Sequence, residues 1–74
     1  NYNNPFIDEL YNEAKAGYIP CIYRMSTIYK HLHTDLFESK ITNQQYLYFI
    51  NKYELNIFNK IVKEIIFIKS TRSI

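Results

Sequence analysis

Apolar positions along the chain fall into three stretches of helical spacing, separated by short polar connections. In the first, Phe6, Ile7, Leu10, Tyr11 and Ala14 share one helix face. Asn4 and Pro5 open it: an Asn side chain accepts an otherwise orphaned backbone N–H, and proline at the first helical position loses nothing by lacking one. Gly17 closes it, because only glycine enters the left-handed conformation without steric cost. The pattern predicts a helix over 5–16.

Pro20 then separates this element from a second stripe, Ile22, Met25, Tyr29, Leu32 and Leu36, which Cys21, Ile28 and Phe37 widen. Steps of three and four residues are the spacing of helices packed side by side, so a second helix is expected over 21–37. After Glu38-Ser39-Lys40, Thr42 and Gln45 form a capping box and Ile41 and Tyr46 a hydrophobic staple, fixing a third helix start at Asn43.

From there no glycine or proline stops the pattern. Tyr46, Ile50, Tyr53, Ile57, Ile61, Ile65 and Ile68 line one face, broadened by Leu47, Phe49, Phe58, Val62 and Ile66. A helix over 43–69 spans roughly 40 Å, against roughly 25 Å for the second. Its end beyond Ile61 therefore requires a cover: the first helix, a partner, or a break near 54–56 with Asn56 as a new cap. The β-branched run Ile65–Ile68 also suits a short strand, for which Tyr18–Tyr23 is the sole candidate neighbour. The expected fold class is all-α: a small three-helix bundle in a single domain over 1–74, with the long third helix broken or unbroken and the tail from Ser70 frayed.

Composition narrows what this fold does. The chain has 74 residues, and domains of this size bury a small core and lean on disulfides, metals or partners. One cysteine excludes an internal disulfide and makes a reducing, intracellular setting the expectation. No leader pattern stands at the start, and the longest apolar run is far short of a membrane span. The net charge is +2, unevenly spread. Asp8, Glu9, Glu13, Asp35 and Glu38 outweigh Lys15, Arg24 and Lys30 in the first half. Lys40, Lys52, Lys60, Lys63, Lys69 and Arg72 outweigh Glu54 and Glu64 in the second. The basic half suits an acidic partner or the phosphate backbone of a nucleic acid, or its own helix C-terminus.

Residues that could carry chemistry are thinly placed. His31 and His33 are two apart, so they do not share a helix face, and Cys21 has no companion cysteine. No metal or other cofactor is expected. His31 and Asp35 could form an imidazole–carboxylate pair, but a nucleophile would have to come from Cys21, Ser26 or Thr27. Neither a phosphate-binding glycine loop nor a dense carboxylate cluster is present, so no enzyme and no small-molecule substrate is expected.

Arg24-Met25-Ser26-Thr27-Ile28-Tyr29-Lys30-His31-Leu32 resembles the recognition helix of helix-turn-helix proteins. That resemblance implies nucleic-acid binding through Arg24, Ser26, Thr27 and Lys30, although the turn glycine is out of register and Pro20 intervenes. Eight tyrosines and five phenylalanines are more than a bundle this small can enclose with every hydroxyl satisfied. The capped hairpin with a trailing helix also resembles, in general shape, the bacteriocin-immunity proteins, which implies a small accessory or inhibitory subunit. The leading expectation is a protein-binding or self-associating module. Its expected surface is Tyr48, Phe49, Phe58, Val62, Ile66 and Phe67, with Lys63 and Lys69 at the rim.

Overall fold

The computed structural model describes residues 4–72; Tyr2 and the last two tail residues lie outside them. Four α-helices follow one another: α1 (Pro5–Lys15), α2 (Ile19–Phe37), α3 (Asn43–Lys52) and α4 (Leu55–Arg72). No strand occurs among the described residues, and Ile65–Ile68 is helical.

Helix α1 starts as its residues dictate, with Asn4 Oδ1 accepting from Ile7 N–H at 3.0 Å. At its end Gly17 sits at φ +98°. Gly17 N–H donates to Ala14 O at 3.0 Å and Tyr18 N–H to Glu13 O at 3.1 Å, which satisfies the last carbonyls in a Schellman turn. Helix α2 begins at Ile19, two residues ahead of the expected start. Pro20 falls in its first turn, where a missing N–H costs nothing, and so belongs to the helix instead of separating it.

The same closing turn recurs after α2 without a glycine. Ser39 takes φ +60°. Ser39 N–H reaches Leu36 O at 3.1 Å and Lys40 N–H reaches Asp35 O at 2.8 Å. The capping box of α3 is reciprocal: Gln45 N–H donates to Thr42 Oγ1 at 3.1 Å, and Thr42 N–H to Gln45 Oε1 at 2.9 Å.

The expected long helix is two helices. The break lies at Tyr53 and Glu54, and Glu54 adopts φ +49°. Its carbonyl accepts the first N–H groups of α4, from Ile57 at 3.0 Å and Phe58 at 3.4 Å. Glu54, not Asn56, therefore opens α4. The tail expected to fray from Ser70 is helical as far as Arg72.

Two tyrosines, Tyr11 of α1 and Tyr53 of the corner itself, tie this corner to α1. Tyr11 Oη donates to Glu54 Oε2 at 2.5 Å, and Tyr53 Oη to Asp8 Oδ1 at 2.7 Å. The Tyr11 ring meets those of Tyr53 and Phe58 edge-on, at 5.5 and 6.0 Å between centroids. The Tyr11 phenol is pushed above its ordinary pKa by the Glu54 hydrogen bond and by burial, against the opposing pull of Lys15. Burial, then the bond to Asp8, raises that of Tyr53.

Helix α2 is the hub, with α1, α3 and α4 all packed on it, while the backbones of α1 and of α3 and α4 keep apart. The core runs along α2 through Cys21, Ile22, Met25 and Leu32, and is closed by Ala14, Ile50, Tyr53, Leu55, Phe58 and Val62. Ser26 is buried too, donating to Asn59 Oδ1 at 3.1 Å and so tying α2 to α4. The result is flat and elongated, 43 × 26 × 15 Å. Its radius of gyration is 13.2 Å, against roughly 11 Å for a compact chain of this length.

Candidate functional site

Breaking the helix at Glu54 resets its rotational phase, and this decides which side chains of α4 face water. Without a break, Ile57 and Ile68 would continue the inward stripe of Tyr46, Ile50 and Tyr53. With it, Leu55, Phe58 and Val62 turn inward onto α2 and are buried. Ile57 and Ile68 turn outward, 53% and 51% exposed, beside Phe67 at 71%. Lys60, Lys63, Glu64, Phe67 and Ile68 line one shallow groove along this outer face. Lys60, Lys63 and Glu64 have no ion-pair partner among the described residues.

The eight residues of the expected surface are thereby divided. Phe58 and Val62 fill the core and cannot meet a partner, which corrects their assignment. Lys63, Ile66 and Phe67 are exposed on α4. Lys69 turns back toward α2, its Nζ 5.7 Å from the centre of the Tyr23 ring. Tyr48 and Phe49 lie on α3, in edge contact with each other at 5.3 Å; Tyr48 is exposed and Phe49 is packed against the core. Sequence reasoning assigned Ile57 and Ile68 to the inner face and gave no role to Lys60 or Glu64. The signal for them is a second stripe at three- and four-residue steps, which turns outward only when the helix is broken near 54–56.

The α2 residues proposed to read nucleic acid are divided as well. Arg24, Thr27 and Lys30 are exposed. Ser26 is 2% exposed and committed to Asn59, so it cannot reach a base, which corrects its assignment. The Thr27 hydroxyl is engaged with the Tyr23 carbonyl at 3.0 Å. Arg24, Thr27 and His31 share a groove with Ile7 and Leu10 of α1.

The groups weighed for catalysis or metal binding are scattered. His33 lies between Tyr29 and Tyr46, ring centroids 4.5 and 5.2 Å away, with the Tyr46 hydroxyl 3.0 Å from its Nε2. His31 faces the α1–α2 groove. Cys21 is buried, its Sγ 4.0 Å from Glu13 Oε2. Burial, then the Glu13 carboxylate, pushes its thiol above the ordinary range, which suppresses the nucleophilic thiolate. No group of three His, Cys, Asp or Glu side chains that could hold a metal occurs among the described residues. No helix of the described residues is long and apolar enough to cross a membrane. Comparison with protein-family models, with curated proteins and with solved structures finds no match to this chain.

Proposed function

We propose that this chain is a non-catalytic protein-binding module whose contact surface is the outer face of α4. The observation that carries the reading is Ile57, Phe67 and Ile68 turned to water on the outer face, with Phe67 and Ile68 lining its groove, while the inner face of the same helix is already buried against α2. A helix that packs one face needs apolar residues on that face alone. Large side chains exposed on the opposite face, interleaved with Lys60, Lys63 and Glu64, form a patch of the kind that marks an interaction site. The flat shape supports the same reading. The accessible surface is 5462 Å² for a 9.0 kDa chain, against roughly 4,900 Å² for a compact monomer of that mass.

Binding of nucleic acid through α2 has weaker support. The small polar residues that would reach bases, Ser26 and Thr27, spend their hydroxyls within the protein. A duplex-binding helix would also bind more weakly as salt rises, and that dependence separates the two readings.

The test is a retention experiment comparing the wild-type chain with Ile57→Lys and Phe67→Glu, both exposed and therefore compatible with the fold. Circular dichroism should show unchanged helix content. A partner protein bound by wild type should lose affinity by roughly a hundredfold in either variant, the weight of an aromatic or aliphatic interface anchor. Equal binding by all three would remove this face from the function.

A further inference from the structure

The identity of the partner follows from the order of charges along that face. Ile57, Lys60, Glu64 and Phe67 recur at steps of three and four residues, the seam spacing of paired helices. The stripe on the opposite side, through Leu55, Phe58 and Val62, is consumed by α2. Read from its start, the outer stripe runs apolar, positive, negative, apolar. Read backward, it runs apolar, negative, positive, apolar. Two such helices laid antiparallel, with the two-fold axis beside position 62, set Ile57 against Phe67 and Lys60 against Glu64, and each match occurs twice. A parallel pairing would set Lys60 on Lys60 and Glu64 on Glu64, which like-charge repulsion disfavours.

We infer that the outer face of α4 is the interface with a second copy of this chain, in an antiparallel two-fold arrangement. The inference rests on the reading of this face as a protein-binding surface and names its occupant. Lys60 and Glu64 have no ion-pair partner within the described chain, and the second copy supplies both. A two-fold contact of this kind is self-complementary by construction: the patch that donates is the patch that receives. It also gives a small core the added support that domains of this length draw from disulfides, metals or association.

Charge reversal tests the pairing and its direction together. Sedimentation equilibrium would be measured on the 74-residue chain, on Lys60→Glu, on Glu64→Lys and on the double variant, with helix content checked by circular dichroism. Wild type should dimerise. Each single reversal should weaken the dimer by roughly tenfold or more, since it places like charges together twice. The double variant should return to within roughly threefold of wild type, because the exchanged charges again meet their opposites. A dimer that the double variant does not rescue would overturn the antiparallel register. A wild-type monomer at roughly 1 mM, the weak end of the affinity scale, would overturn the second copy as occupant. If that monomer still captures a different protein in a Phe67-dependent manner, the self-association inference falls and the protein-binding reading stands. If it captures none, both fall.

Discussion

Positive φ at Gly17, Ser39 and Glu54 shows how single residues set this fold. Gly17 was legible in the sequence because glycine is the residue that turn chemistry prefers. Ser39 and Glu54 were not, since each is a residue for which the left-handed region costs about 1–2 kcal/mol. Ser39 has no evident compensation beyond its turn hydrogen bonds, so Ser39→Gly should stabilise the protein by about 0.5–1 kcal/mol in urea unfolding. Gly17→Ala should do the opposite by a similar amount. A Cβ there meets no atom within 4 Å, so the cost is backbone strain alone. Glu54 is different, because the Tyr11 hydroxyl holds its carboxylate at 2.5 Å. Relief of its backbone by glycine would sacrifice that bond. This dependence on a residue far away in sequence is why the break could be suspected near 54–56 but not placed on Glu54.

Elements, once their ends are set, are oriented by a few side chains. The capping box of α3 was readable because all its parts are local, and Thr42→Ala should cost about 1 kcal/mol. The phase of α4 was not readable, because it depends on the break, and the candidate surface inherited that error at Phe58 and Val62. The α1–corner contact relies on two phenols donating to carboxylates. Both tyrosines have pKa values raised above 10.0, so folding favours their protonated forms. A group whose pKa is raised on folding stabilises the native state fully below its unfolded value and ceases to do so as pH rises through the folded value. Stability should therefore be level with respect to these groups below pH 10 and fall above it. Tyr11→Phe should lower stability at neutral pH by about 1 kcal/mol, the partly exposed bond being discounted for solvent. The variant should also show a shallower alkaline decline, measured as urea midpoint against pH.

At the scale of the molecule, one hub helix with neighbours gives a thickness of only 15 Å. Leu32 is fully buried on α2 and belongs to the core. Leu32→Ala should cost about 2–5 kcal/mol, a large share of the stability of a chain this size, and calorimetry should show the melting transition lowered or lost. The all-helical class was legible because hydrophobic periodicity reports it directly, whereas the helix count and the water-facing side required the corner to be seen. The isolation of α1 has a further consequence. It buries only Ala14 fully, and its backbone lies close to α2 alone. It should accordingly behave as a separate cooperative unit. Native-state hydrogen exchange should find the amides of α1 opening at lower free energy than those of α2 and α4, without global unfolding. Each such opening would strip the tether from Glu54 and let water reach Tyr53, so Tyr11→Phe should quicken exchange in α1 and at the α3–α4 corner together.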